Sequence, residues 1–290
     1  MKRVMIAGAT GYLGRYLCAE FHGRGWHVTA LVRKKSAAAD IKADAVIVAQ
    51  ATWPETLDGL MTDIDLVVSA LGITRQADGV GYWDVDYQAN VNLLEEALRA
   101  NVQGFAYIHV LNAERFNDVP LVAAKSAFVR RLQQAPLRST VIAPTGCFSD
   151  MADFLAMARA GRVWLFGEGQ QMINPIHGAD LAAAAYDAIA RGEAWCDVGG
   201  PDIFTQNEIA ELCFDVLDAP VRITHLPDVL RRVVLGLLPR VAPRRVAGPA
   251  QFFLTALAMN MTAAPFGQQH LAAHFHAIAG QDKGPAHHHK

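Results

Sequence analysis

The stretch Val4-Met5-Ile6-Ala7-Gly8-Ala9-Thr10-Gly11-Tyr12-Leu13-Gly14 places a short apolar run directly before three glycines at the spacing G-x-x-G-x-x-G. The run predicts a strand, and the apolar residues four apart that follow it predict a helix. Between the two, Gly8 permits a tight turn, Gly11 lets the backbone approach a pyrophosphate, and Gly14 lets the helix pack closely on the strand. The amide groups and the dipole at the helix start favour an anion. The stretch therefore predicts a dinucleotide site, with contacts from Gly8, Thr10, Gly11, Tyr12, Leu13 and Gly14.

The same alternation of strand and helix continues along the chain. Further strands are predicted at 27–32, 45–48, 66–70, 105–110, 139–143 and 196–198. Further helices are predicted at 54–61, 88–100, 122–134 and 179–190. Near-continuous apolar strands that alternate with helices indicate a parallel sheet covered on both faces. The predicted fold class is α/β, a doubly wound parallel sheet of the Rossmann type.

The composition changes near residue 200, and we predict three parts. Residues 1–200 form the nucleotide-binding domain, and residues 201–282 form a small, mainly helical substrate region that packs on the sheet. Thr205 followed by Glu208 predicts a capped helix start in this second part. We interpret residues 283–290 as a tail derived from a tag.

The end of the second predicted strand bears on the choice of dinucleotide. An acid there would bind the ribose hydroxyls of NAD, but the strand runs into Arg33, Lys34 and Lys35. A guanidinium suits the 2′-phosphate of NADP(H), with which it forms charge-assisted bonds. A solvated basic loop is the alternative. We predict NADP(H) as the cofactor, with Arg33 and Lys34 on the phosphate.

Composition excludes several other classes of protein. Of 290 residues, 52% are hydrophobic and 19% charged, which excludes global disorder, and the net charge of -2 argues against a nucleic-acid binder. We expect no membrane-spanning helix and a cytoplasmic location. Four scattered cysteines and the histidines at 270, 274 and 276, without a glutamate between them, lead us to expect neither disulfides nor a metal site.

Four motifs together carry a family resemblance over most of residues 1–215. They are the glycine turn, Val68-Ser69-Ala70-Leu71-Gly72, Asp86-Tyr87-Gln88-Ala89-Asn90, and Asn174-Pro175-Ile176-His177 followed by Asp180-Leu181-Ala182. The chain resembles the atypical short-chain dehydrogenases/reductases, in the group with NmrA-like and isoflavone-reductase-like proteins and divinyl chlorophyllide reductases. The resemblance implies an NADP-binding reductase with its cleft at the carboxyl ends of the strands.

By position, the resemblance also implies individual cofactor contacts. Ala70 and Leu71 would line the ribose and nicotinamide side, and Pro144 would lie near the nicotinamide. Ala51 would lie beside the adenine, although the usual acid before it is replaced by Gln50. His177 and Asp180 are expected to bind backbone where the sheet meets the C-terminal region.

The same resemblance identifies Lys125 as a catalytic candidate. In related enzymes a lysine there holds the nicotinamide ribose and assists a tyrosine one helical turn earlier. That tyrosine is replaced by Leu121, and the usual serine by His109. His109 could donate the proton, because imidazole titrates near neutrality, or it could be a packed, hydrogen-bonded residue.

Residues 228–245 combine arginines with leucines and valines. Between residues 221 and 250 there are six arginines and one acid, Asp228. The segment could be a lid with its leucines over the cleft, which we prefer, or an amphipathic element on a membrane surface. Pro239 and Pro243 are expected to limit any helix there to about three turns.

Two functions remain open from the sequence. The first is an NADP(H)-dependent oxidoreductase that reduces a hydrophobic small molecule, such as a quinone or a conjugated alkene, as a monomer or homodimer. The second is a non-catalytic NADP(H) sensor or assembly factor of the NmrA-like type, which the missing tyrosine favours.

Overall fold

The computed structural model describes residues 1–73 and 80–281. Its strands are β1 (Arg3–Ala7), β2 (His27–Val32), β3 (Ala45–Val48), β4 (Leu66–Ser69), β5 (Gly104–Ile108), β6 (Arg138–Pro144), β7 (Val163–Phe166), β8 (Met172–Ile173), β9 (Trp195–Val198), β10 (Phe204–Thr205) and β11 (Ile223–Leu226). Its α-helices are α1 (Tyr12–Gly23), α2 (Asn90–Arg99), α3 (Pro120–Gln133), α4 (Ala152–Arg159), α5 (Gly178–Arg191), α6 (Gln206–Val216), α7 (Asp228–Val241), α8 (Arg244–Ala256) and α9 (Leu271–Gln281).

Seven strands form one parallel sheet in the order β3-β2-β1-β4-β5-β6-β9. The chain leaves β1 in one direction to reach β2 and β3, and in the other to reach β4, β5 and β6. This reversal between β1 and β4 creates a crevice at the carboxyl ends of the strands, where such sheets bind ligands. The predicted doubly wound α/β fold is confirmed.

Each face of the sheet is covered by its own hydrophobic core. On one face, α1 and α5 pack together and bury side chains such as Leu17, Phe21 and Leu181. On the other face, the cores of α2 and α3 include Leu94 and Phe128. Because both faces of the central strands are buried, β1, β4 and β5 are apolar along most of their length, which is the pattern the sequence shows.

The C-terminal third is joined to the sheet domain by strand pairing. β10 pairs antiparallel with β8, and β11 pairs parallel with β7, so both strands of the C-terminal third pair within the preceding part of the chain. The predicted capped start of α6 is confirmed, because the Thr205 amide donates to Glu208 Oε2 at 2.6 Å and the Glu208 amide donates to Thr205 Oγ1 at 3.2 Å. The proposed division at residue 200 remains a prediction.

Polar side chains fix this junction, as expected from the sequence. The Asn174 side chain is fully buried, donates to the carbonyls of Gly200 and Ala263, and accepts from the Ala263 amide. The Asp180 carboxylate accepts from the Gln268 and Gln269 amides at 3.0 and 2.9 Å. Two segments distant in sequence are thereby held against the end of the sheet.

Two local predictions were wrong. The helix expected at 54–61 is reduced to one 3₁₀ turn, Pro54–Thr56, because Gly59 has a left-handed φ of +75° and its amide donates to Glu96. Pro239 does not interrupt its helix, since α7 runs for 14 residues with Pro239 in its last turn. Pro243 does separate α7 from α8, where it is the N-cap residue.

No helix in the described residues is long and apolar enough to cross a membrane. The tail predicted at 283–290 lies outside the described residues.

Candidate nucleotide-binding and active site

The glycine turn joins β1 to α1 with no space for side chains at two of its positions. Gly8 has a φ of +78°, and a Cβ there would lie 2.8 Å from the Ala70 carbonyl oxygen. A Cβ at Gly14 would lie 2.1 Å from the Gly8 carbonyl oxygen, so only glycine lets α1 pack this closely. The turn and close-packing roles predicted for these two glycines are confirmed.

The start of α1 is open to an anion. Gly11 is its N-cap residue and offers no side-chain cap, so the first amides of the helix, those of Tyr12, Leu13 and Gly14, need other partners. The Tyr12 side chain turns away from them, because its hydroxyl accepts from the Gly178 amide at 3.0 Å. The backbone at this turn therefore fits a phosphate group, with a helix dipole aimed at it.

A buried asparagine holds the loop that follows β4. Asn90 Oδ1 accepts from the Ser69 hydroxyl at 2.5 Å, and its amide donates to the carbonyls of Leu71, Val85 and Asp86. Ser69 and Asn90 each belong to a motif that carried the family resemblance, and the structure brings the two motifs together. These bonds hold Ala70 and Leu71 directly beside the Gly8 turn, where the Ala70 carbonyl leaves no space for a Cβ at Gly8.

Lys125 lies on α3 in a cluster of polar groups at the end of β5. Its Nζ lies 3.3 Å from Asp86 Oδ1 and donates to the Ile108 carbonyl at 3.1 Å and to the Tyr107 hydroxyl at 3.4 Å. Asp86 is fully buried, and its burial raises its pKa to about 6 even though Lys125 and the Ile73 amide favour the charged form.

The glycine turn and Lys125 are connected through a short loop. A Cβ at Gly72 would lie 2.6 Å from Asp86 Oδ1 and 3.1 Å from Lys125 Nζ. Gly72 follows Ala70 and Leu71, which meet the Gly8 turn. The predicted phosphate turn, the predicted nicotinamide side and Lys125 thus form one continuous surface at the carboxyl edge of the sheet.

His109 follows β5 and is 4% exposed. Its ring packs edge-on against Trp195 with the ring centres 5.8 Å apart, and within the described part of the chain its Nδ1 has no hydrogen-bond partner. Burial, with a smaller contribution from the charge of Lys125, lowers the pKa of His109 to about 3. The imidazole is therefore neutral at pH 7, which weighs against the proton-donor role considered for it. Leu121, at the position of the usual tyrosine, is buried in the core.

The remaining predicted contacts lie around the same edge. Arg33 and Lys34 are exposed after β2, and Ala51 is half-buried after β3, where its carbonyl accepts from Asn92. Pro144 is buried at the end of β6, and its carbonyl accepts from the Leu111 amide. The structure thus puts the basic pair and Ala51 on the β2–β3 side of the crevice, and Pro144 on the β6 side.

Sequence reasoning missed three residues of this region. Asp86 and Tyr107 contact Lys125, and Arg15 donates to the carbonyls of Thr10 and Ala37 at 3.3 and 3.4 Å. Arg15 follows the third glycine directly, and Asp86 opened a quoted motif, so both were visible as patterns. Tyr107 carried no signal beyond its place on a predicted strand.

The C-terminal histidines have separate partners. His270 Nδ1 lies 2.7 Å from Asp202 Oδ2, whereas the His274 ring packs against Phe148 and His177. Among residues 1–73 and 80–281, no three metal-binding side chains gather in one place.

Known proteins resemble the chain in sequence and in fold. The photosystem II assembly factor Ycf39 of Synechocystis sp. is 26% identical over 236 residues, which are 79% of this chain and 72% of the relative. The divinyl chlorophyllide a 8-vinyl-reductase of Arabidopsis thaliana is 25% identical over 268 residues, and the match covers 82% of this chain and 63% of the reductase.

A solved structure shares the fold over nearly its whole length. It is an NADPH-dependent quinone oxidoreductase of Escherichia coli in complex with NADPH, with a TM-score of 0.75 and 18% sequence identity. The match covers 95% of this chain and 99% of that one. A family model described as NAD(P)H-binding matches residues 8–191, which run from the first glycine of the turn to the end of α5. The chain belongs to this NAD(P)H-binding family.

Proposed function

We propose that the protein is an NADP(H)-dependent reductase that transfers hydride to a hydrophobic small molecule, such as a quinone or a conjugated alkene. The observation that carries the proposal is the continuous surface from the Gly8 turn through Ala70, Leu71 and Gly72 to Lys125. A dinucleotide bound along it would have its phosphates at the turn and its nicotinamide near the lysine.

The residues present fit the whole cofactor. Gly8, Gly11 and Gly14 add no side chains to the turn, and the amides of Tyr12 and Leu13 would face the pyrophosphate. On the β2–β3 side, Arg33 and Lys34 would bind the 2′-phosphate, and Ala51 would lie by the adenine. Arg15, which links the glycine turn to the loop after Arg33, adds a third cation there.

The nicotinamide end would be lined by residues with different roles. Ala70, Leu71 and Pro144 present apolar or backbone groups that would exclude water, and Lys125 would hold the ribose. NADPH supplies the hydride when it is bound, and the protein supplies orientation. Ion pairing with Asp86 keeps Lys125 in place.

The missing phenol limits the choice of substrate. With Leu121 buried and His109 neutral, neither of the two positions considered for the proton donor offers a strong general acid to a developing alkoxide. Acceptors in which the developing charge is delocalised need such an acid least. The printed names of two similar proteins fit this class, since one reduces a vinyl group of chlorophyllide and the other is a quinone oxidoreductase.

Consumption of NADPH tests the proposal directly. The purified protein would be assayed against quinones, enones and simple ketones, with NADPH binding measured in parallel by calorimetry. We expect quinones or enones to be reduced and simple ketones to be poor substrates. Reduction of simple ketones alone would contradict the proposed choice of substrate.

A second candidate is a non-catalytic NADP(H) sensor or assembly factor. The specific observation that favours it is Leu121 in place of the tyrosine, together with the similarity to Ycf39, which is named as an assembly factor. Tight NADPH binding without reduction of any acceptor would support this candidate over the reductase. A cytoplasmic location and a monomeric or homodimeric state remain predictions under both.

A further inference from the structure

We propose that the outer face of α7 docks on an anionic lipid surface, with the helix lying in the plane of the membrane. Val229, Val233, Leu237 and Val241 follow one another at intervals of four and form a single stripe along the helix. They are 67%, 49%, 53% and 77% exposed, and Leu230 beside them is 43% exposed. An apolar stripe of this length on the outside of a folded chain indicates an interaction surface.

The stripe faces outwards because the opposite side of α7 is fixed. The inner side packs on α8 and β7. Arg231, with 12% of its side chain exposed, donates to Asp228 Oδ1 at 2.6 Å and to the Leu254 carbonyl of α8 at 3.2 Å. These polar bonds set the rotation of the helix. The exposed side chains of the stripe therefore lie on the side of α7 that faces away from α8.

The charges around the stripe indicate which kind of surface it would bind. Asp228, the one acid between residues 221 and 250, is paired with Arg231 and Arg232. Arg240 and Arg245 form no ion pair with any residue that the structure describes. Both are exposed, and in the sequence they lie on either side of Val241, the last residue of the stripe. A stripe of apolar side chains with unneutralised arginines matches the interface of an anionic bilayer. A second copy of the chain would bring these same arginines together across a twofold axis, which repulsion disfavours.

Docking would also orient the molecule. α8 joins α7 to the earlier part of the chain, because it packs on both α7 and α3, Phe252 stacks on Phe116, and Gly248 lies against the Tyr82 ring. The inference rests on the exposed stripe and its charges alone, so it holds whether or not the proposed reductase activity is found.

Co-sedimentation of the full chain with vesicles tests the inference. We expect binding to phosphatidylcholine vesicles that contain phosphatidylglycerol to be at least about ten-fold stronger than binding to phosphatidylcholine alone, and to weaken with salt. Leu237→Asp, or Val241→Asp as a second variant, should lower binding to the anionic vesicles about ten-fold or more. Val48→Asp is the matched control, since Val48 is also 53% exposed but lies on β3.

A second pair of variants separates charge from apolar contact. Arg240→Gln with Arg245→Gln should remove most of the preference for phosphatidylglycerol, whereas Arg130→Gln with Arg138→Gln, which makes the same charge change away from α7, should leave it intact. Unchanged NADPH affinity would show that each variant is folded. Equal binding to both kinds of vesicle, or no binding, would overturn the inference. Self-association that Leu237→Asp abolishes, without vesicle binding, would assign the stripe to a second copy.

Discussion

Arg33 decides which dinucleotide the crevice should prefer. We expect NADP(H) to bind about ten-fold or more tightly than NAD(H), or about 1.4 kcal/mol, because no acid follows β2 and Arg33 is free to meet the 2′-phosphate. Arg33→Ala should remove most of this preference, and Arg15→Ala part of it. Lys42→Ala, at an exposed lysine further along, is the control. Calorimetry with both dinucleotides measures the difference, and equal affinities in the unmodified protein would contradict the assignment.

Lys125 should matter more for turnover than for folding. Its side chain reaches Asp86, the Tyr107 hydroxyl and a carbonyl of β5, so removing it disorders the end of the crevice where the nicotinamide would lie. Lys125→Ala is expected to lower turnover by roughly 10²-fold while the fold persists. Steady-state kinetics with the best acceptor, alongside circular dichroism, would check this. Full activity in the variant would leave Lys125 with a structural role only.

His109 should make the protein sensitive to acid. Its folded pKa of about 3 lies below the ordinary 6.5, so the unfolded chain binds the extra proton first. The contribution of His109 to the free energy of unfolding is therefore fully present above pH 6.5 and is lost as the pH drops towards 3. This contribution amounts to several kcal/mol, at about 1.4 kcal/mol per pKa unit. His109→Leu should flatten this slope. Denaturant titrations between pH 7 and roughly pH 4 would show it. An identical slope in both proteins would mean that His109 is not the sensor.

The contrast between these residues shows what a sequence can reveal about a site. The glycines and Arg33 were found because each lies directly at the end of a predicted strand or the start of a helix, and Lys125 was found through the family resemblance. Asp86 lies 39 positions before Lys125, and Tyr107 lies 18 before it. Their meeting depends on β4 and β5 being neighbours and on α3 crossing over them. No local pattern contains that information.

The junction of β1 with α1 offers a test within a single helix. Gly14→Ala would place a Cβ against the Gly8 carbonyl, so α1 must move away from β1. We expect a loss of about 1–3 kcal/mol of stability and a marked loss of NADPH binding. Gly23→Ala in the same helix meets nothing within 4 Å and should be neutral or slightly stabilising. Thermal unfolding with and without NADPH compares the two, and equal behaviour would remove the close-packing argument.

Helix α7 shows why its orientation was not predictable from its pattern. A stripe of apolar residues at intervals of four is equally typical of a helix that covers a cleft and of one that faces a membrane. The deciding contact is the bond from Arg231 to the Leu254 carbonyl, which comes from another helix. The helix also continues through Pro239, which removes one hydrogen bond to the carbonyl four residues earlier, but the helix runs only two residues further.

The arrangement of the complete chain depends on how its last third is attached. The seven strands followed from hydrophobic pattern alone, since a sheet buried on both faces requires apolar strands. The attachment of residues 201–281 did not, because it uses two short strand pairs and a few side chains that reach across more than 60 residues of sequence. Such bonds have no periodicity and become visible only in three dimensions.

Asn174 is the residue on which this attachment should depend most. Its buried amide bonds the carbonyls of Gly200 and Ala263 and the Ala263 amide, and its own backbone carbonyl accepts from Thr145 at 2.6 Å. Asn174→Ala leaves three backbone groups without their side-chain partner, each at a cost of about 1–3 kcal/mol when it stays buried. The exposed Asn117→Ala is the control. Hydrogen exchange should then show residues 200 and 261–271 opening before the seven-stranded sheet, because strand pairing in the sheet is untouched. Simultaneous opening of both regions would mean that the C-terminal third and the sheet unfold as one unit, and it would contradict the role given to Asn174.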